Sequence, residues 1–92
     1  MLDLLTAPRH QVLEEFTSAL SSMEAYAHAV ECLRAHHTGV AMFGSALKIL
    51  RERLADPTSH PLELLASYHI AREVQTCLHQ DVVQLLKVAA HD

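Results

Sequence analysis

A helical repeat of apolar residues in the first third of this 92-residue chain decides what it can fold into. From Pro8 to about residue 37 the apolar side chains recur at spacings of three and four, whereas a half-buried strand would alternate every second residue. Polar residues cover the opposite side, so the pattern predicts an amphipathic helix over about residues 8–37. The repeating apolar positions are Leu13, Phe16, Leu20, Met23, Ala27 and Val30.

Two further helices follow from the same periodicity. A 3-4-3-4 spacing between Val40 and Leu54 predicts a short second helix over about residues 40–55. After a Pro- and Ser-containing loop, Pro61 suits the first turn of a third helix over about residues 62–90, with Ser59 or His60 as its cap. The apolar stripe of this third helix comprises Leu64, Ala71, Val74, Leu78, Val82, Leu85 and Ala89.

The break between the first two helices is predicted over His36-His37-Thr38-Gly39, with Gly39 as the residue that ends the first helix. Glycine readily adopts the left-handed conformation that ends many helices. One continuous helix through Gly39 and Gly44 is the alternative, because the apolar spacing continues beyond them. Two glycines inside a helix would cost about 2 kcal/mol relative to alanine, which favours the break.

These patterns predict an all-α fold, a three-helix antiparallel bundle of long–short–long order, as one domain over residues 1–92. Half of the residues are apolar and the chain has only two glycines and three prolines, which excludes disorder. At 1.5 Å per residue the outer helices would span roughly 40–45 Å and the middle one roughly 22–24 Å. A short helix cannot cover two longer stripes. We therefore expect homodimerisation through the apolar rows of helices one and three.

Net charge limits the classes of partner that the chain can bind, and cysteine spacing bears on the compartment in which it works. A net charge of -4 disfavours nonspecific binding to nucleic acid or anionic lipid. No apolar stretch approaches the roughly 20 residues of a membrane span, and the start of the chain has no cleavable signal pattern. Cys32 and Cys77 form no CxxC or secreted-scaffold spacing. We expect a cytoplasmic protein that binds neither nucleic acid nor membranes.

Positive charge is concentrated in one segment. Residues 34–53 hold four cations against Glu52, whereas the segments on either side are net negative. Arginine pairs with carboxylates through two hydrogen bonds and is enriched at binding hot spots. We predict that this cationic island binds an acidic protein partner, or else pairs with Glu24 or Glu31 of a second subunit. The cationic island consists of Arg34, Lys48, Arg51 and Arg53.

Eight histidines raise the question of a metal site. Glu24, His28, Cys32 and His36 follow one another every four residues, but the ends of this run are roughly 18 Å apart, so one ion cannot use them all. His69 and Glu73 have a spacing similar to ligands of hemerythrin-like and di-iron bundles, yet they lie on the polar side of their helix. We predict no metal or cofactor; if the chain holds one, His28, Cys32 and His36 are its candidate ligands.

The predicted dimeric long–short–long shape resembles the all-helical chorismate mutases, and Arg51 beside Glu52 resembles the acidic–basic pair on their middle helix. The resemblance is one of topology, without a continuous motif, and implies a small helical enzyme. That family places cations inside its first helix to bind a dicarboxylate, whereas the inward stripe here is uncharged. The chain also lacks phosphate-loop, GxSxG and HExxH motifs.

We therefore predict a protein without enzymatic activity. Its expected role is that of a homodimeric protein–protein interaction module of the adaptor, chaperone or inhibitor type. A His-rich bundle that binds metal or haem is the first alternative, and an enzyme of chorismate-mutase-like topology is the second.

Overall fold

Three α-helices make up the described chain. A computed structural model describes residues 8–32 and 38–91, and these ranges contain no strand. The all-α, three-helix, long–short–long bundle is therefore confirmed. The helices are α1 (Arg9–Cys32), α2 (Thr38–Ala55) and α3 (Pro61–His91).

The helices run up, down and up, so α1 and α3 point in the same direction. Phe16 of α1 contacts Tyr68 of α3, and about 15 Å further along both helices Tyr26 contacts His79. This register places the end of α1 level with about residue 85 of α3. Because α2 returns between them, it supplies side chains to both neighbours and the core follows its buried face.

The hydrophobic core has a large and a small cluster. The small cluster lies near the start of α1, where Val12, Phe16 and Leu64 pack together with Leu54 and other partly buried residues. The large cluster fills the rest of the bundle and draws on all three helices. Its buried members are Leu20, Met23, Val30, Phe43, Ala46, Leu47, Leu50, Ala71, Leu78 and Val82.

The observed helix bounds change the predicted picture at Gly39. This residue lies in the first turn of α2, which begins at Thr38, and so it is not the residue that ends the first helix. The first-turn N–H groups need no partner within the helix, so glycine's weak helix propensity costs least there. The predicted last turn of the first helix, residues 33–37, lies outside the described residues.

The lengths of the helices also differ from expectation. With 24, 18 and 31 residues, α1, α2 and α3 are about 36, 27 and 46 Å long. The mismatch is therefore concentrated in α3, whose last turns extend beyond the described end of α1. This overhang leaves Leu85, a member of the predicted core stripe, half exposed.

The apolar row of α1 is covered within its own chain. Phe16, Leu20, Met23 and Val30 are all buried, and α1 carries none of the large apolar side chains that stay exposed in the described chain. A dimer interface built on the α1 row, as predicted, is therefore not available. The prediction from helix lengths considered α2 alone as the cover, whereas α2 and α3 together bury this row.

Arg9 and Asp56 fix the loop between α2 and α3. Arg9 donates hydrogen bonds from Nη1 to the Ser59 carbonyl oxygen at 2.6 Å and from Nη2 to that of Asp56 at 3.4 Å. The Asp56 carboxylate accepts the hydroxyl of Thr58 at 2.7 Å and its backbone N–H at 2.9 Å. These bonds from Thr58, the hydroxyl foremost, hold the pKa of Asp56 below its ordinary value. The start of α1 is thereby tied to the start of α3.

His60 caps α3. Its Nδ1 accepts the backbone N–H of Leu62 at 3.1 Å, while the Glu63 carboxylate accepts the backbone N–H of His60 at 3.4 Å. The reciprocal pair has the arrangement of a capping box, with imidazole in place of the usual hydroxyl. Of the two predicted caps, the structure uses His60, and Ser59 is buried beside it.

Gly44 provides a simple test of the α2 assignment. It lies inside α2, and a Cβ built at this position would meet no atom within 4 Å. We expect Gly44→Ala to raise the free energy of unfolding by about 1 kcal/mol, because alanine has the higher helix propensity and restricts the unfolded chain. Urea unfolding followed by circular dichroism measures the difference. Unchanged or lower stability would contradict an open helical site.

Candidate functional site

The structure separates the members of the cationic island. Lys48 and Arg51 lie one turn apart on the same side of α2, whereas Arg53 lies about 160° around the helix from Arg51. Lys48 and Arg51 are exposed and Arg53 is half-buried. Arg34 lies outside the described residues. The three described cations do not form one surface, and their role in binding stays a prediction.

Arg51 has a partner in its own chain. Its Nη2 lies 3.0 Å from Oε2 of Glu24 on α1, and both side chains are about half exposed. A surface ion pair of this kind contributes about 0.2–1 kcal/mol. It orients Arg51 towards α1, and Glu24, the residue predicted as its partner across a dimer, already pairs with it inside one chain.

Few of the described side chains could bind a metal ion or a buried substrate. Across residues 8–32 and 38–91 no three His, Cys, Asp or Glu side chains are close enough to hold a metal. Of the candidate ligands, His28 lies exposed on α1, the Cys32 side chain lies outside the described part, and so does His36. The buried polar side chains in these ranges are Ser59 and Ser67, so the described interior holds no cation for a dicarboxylate.

Exposed apolar side chains lie along α2 and α3 on the side away from α1, with the exposed Asp81 and Gln84 beside Leu85 and Val88. Met42 and Ile49 lie in line on α2, seven residues apart, and Ile70 and Val88 lie in line on α3, eighteen residues apart. The antiparallel register set by Leu54 against the Leu64 cluster brings Ile49 level with about Ile70. The α2–α3 face comprises Met42, Ile49, Ile70, Leu85 and Val88, each between 47% and 57% exposed.

A polar groove runs along the opposite side of α3, where it meets α1. A shallow depression of about 310 Å³ opens there, and four of its five lining residues belong to consecutive turns of α3. The fifth, Tyr26, comes from α1 and rests its ring edge against the buried Phe43. The α1–α3 groove comprises Tyr26, Arg72, Gln75, Thr76 and His79.

Hydrogen bonds hold the side chains of the α1–α3 groove. The Tyr26 hydroxyl lies 3.0 Å from Nδ1 of His79, and Arg72 donates from Nη1 to Oε1 of Gln75 at 3.0 Å. The Arg72 guanidinium also lies 5.9 Å from the ring centroid of Tyr68. Partial burial raises the pKa of the Tyr26 hydroxyl, so this group remains a proton donor.

Neither the α2–α3 face nor the α1–α3 groove was identified from the sequence. Predicting the face requires knowing which side of α3 is covered by α1 and which by α2. The seven-residue spacing of Met42 and Ile49, which aligns them on one side of α2, is the one part of it that the sequence contains. The groove depends on the register between α1 and α3. From the sequence, the only property assigned to Arg72, His69 and Thr76 is that they lie on the polar side of the third helix. No local pattern brings Tyr26 to His79.

Comparison with protein-family models, curated protein sequences and solved structures finds no match to this chain. None of the described helices combines the length and apolarity needed to cross a membrane.

Proposed function

We propose that this chain is a non-enzymatic protein–protein interaction module that acts as a cytoplasmic homodimer. The observation that carries the proposal is the α2–α3 face, five large apolar side chains that remain about half exposed on one side of the bundle. Scattered apolar side chains are normal on a surface, whereas a large patch of them on one side marks an interaction site. The occupant we assign to this face is a second copy of the chain.

The size and shape of the face support a second copy. From Ile70 to Val88 it is about 27 Å long, with α2 beside α3 over about the first 15 Å and α3 alone beyond, so its area is on the order of 400 Å². A standard interface buries about 800 Å² on each partner, so residues around the face contribute to the dimer contact as well. A twofold dimer uses the same patch on both chains, so each copy offers the other an equal apolar surface. Leu85 and Val88, in the part of α3 that extends beyond α1, would also be buried when the dimer forms.

Sedimentation equilibrium at micromolar concentration tests this function. We expect a species of twice the 10.2 kDa chain mass that dissociates on dilution. Cross-linking at the same concentrations should give one additional band, because a twofold interface closes at two chains. A 10.2 kDa monomer at every concentration up to the millimolar range would refute the homodimer.

A partner other than the second copy would meet the surfaces that the dimer leaves open. Lys48 and Arg51 face away from the α2–α3 face, so they stay accessible to an acidic partner. Binding there would be salt-dependent, because both cations are exposed.

A further inference from the structure

We propose that the α1–α3 groove is a binding site for a carboxylate group, the kind of ligand that an acidic peptide carries. The groove lies on the opposite side of α3 from the α2–α3 face, so this site is independent of the dimer. The hydrogen bonds already formed within the groove determine which donors remain for a ligand.

Each internal hydrogen bond of the groove uses one donor and one acceptor, and most of the groups left over are donors. Oε1 of Gln75 accepts from Arg72, so the outward group of Gln75 is its NH₂. We assign the Tyr26 hydroxyl as the donor to Nδ1 of His79, because a phenol is the stronger donor and a neutral imidazole nitrogen the stronger acceptor. The imidazole proton then sits on Nε2, at the open edge of the ring.

Three side chains with free N–H donors therefore line the depression. They are Arg72, Gln75 and His79, which occupy positions one turn apart on the same side of α3. The Thr76 hydroxyl donates a hydrogen bond to the Arg72 carbonyl oxygen at 3.0 Å, so the hydroxyl oxygens of Thr76 and Tyr26 are left as acceptors beside the three donor groups. A ligand that offers acceptors and a negative charge matches the three N–H donor groups, and a carboxylate does so with two oxygens.

The arrangement is preorganised by groups outside the groove. Tyr68 lies beneath Arg72 and itself contacts the buried Phe16, while Tyr26 is held against Phe43. Two aromatic side chains anchored in the core thus position the guanidinium and the imidazole before a ligand arrives, which lowers the entropic cost of binding. Glu73 borders the adjacent depression together with Arg72 and is the nearby charge that opposes an anion.

Titration followed by ¹H–¹⁵N NMR tests the site, with sodium acetate and the acidic peptide acetyl-Glu-Glu-Glu-amide as probes at constant ionic strength. We expect saturable shifts of the Arg72 Nε, Gln75 amide and His79 ring signals. Saturation by acetate identifies a site for the carboxylate alone, and saturation by the peptide only identifies a site that needs further peptide contacts. Either result supports the proposal. Shifts that rise linearly with both probes would overturn it.

Two variants sharpen the test without relying on a damaged fold. Arg72→Gln should weaken binding by about tenfold or more, which corresponds to about 1.4 kcal/mol. Gln75→Glu, of nearly the same shape, should abolish binding because it places a carboxylate of the chain itself beside Arg72. The matched control is Arg51→Gln, an exposed arginine on α2, which should leave affinity unchanged. Equal affinity in the wild type and Gln75→Glu would contradict the site, and circular dichroism verifies that each variant is folded.

Discussion

Replacing Leu78 with alanine is expected to lower the free energy of unfolding by about 2–5 kcal/mol. Leu78 is 1% exposed and belongs to the large core cluster, to which all three helices contribute side chains. Removing its side chain loses apolar burial and leaves a cavity that the bundle cannot fully close. A domain of this size has a total stability of about 5–14 kcal/mol, so the loss is a large part of it.

The same substitution at Leu86 is the matched control. Leu86 lies two turns further along α3 and is about half exposed. Leu86→Ala should cost less than about 1 kcal/mol, because little apolar contact is lost and alanine favours the helix. Urea unfolding of both variants at one protein concentration gives the comparison. Equal losses at the two positions would mean that α3 is not packed along the side described here.

The sequence allowed the three helices and most of the core to be predicted, because burial along a helix follows its apolar periodicity. Phe16, Leu20, Met23 and Val30 are buried as the spacing indicates. Gly39 was misplaced because a glycine near a helix boundary suits the end of one helix and the first turn of the next. Periodicity does not distinguish these two positions.

The surfaces could be predicted less well, because they depend on how whole helices are placed. Arg51 and Arg53 are close in sequence, yet a helix separates them by about 160°, and the pairing of Arg51 with Glu24 follows from the position of α1. A charge count along the chain treats such residues as neighbours. The α1–α3 groove adds a second requirement, since Tyr26 and His79 are 53 residues apart. Only the register of two packed helices brings them together.

The proposed homodimer should be abolished by charges placed on the α2–α3 face. We expect the double variant Ile49→Glu with Ile70→Glu to raise the dissociation constant by about 100-fold or more, which corresponds to about 2.7 kcal/mol. Both positions are about half exposed in one chain, so the monomer accommodates glutamate, whereas a dimer would bury four added carboxylates. Glutamate also keeps the helix propensity of α2 and α3 high.

Sedimentation equilibrium of this variant separates a role in association from a role in folding. At micromolar concentration the double variant should sediment at the 10.2 kDa mass of one chain while its helical circular dichroism stays unchanged.

Leu86→Glu is the control, because Leu86 is equally exposed but lies about 160° around α3 from Ile70. This control should remain dimeric, since a charge at that position stays in water in both states. If Leu86→Glu dissociates the dimer as fully as the double variant does, net negative charge drives dissociation and the α2–α3 face is not the interface. If the double variant still forms a dimer of wild-type affinity, the second copy binds elsewhere, and the apolar residues of this face have no part in self-association.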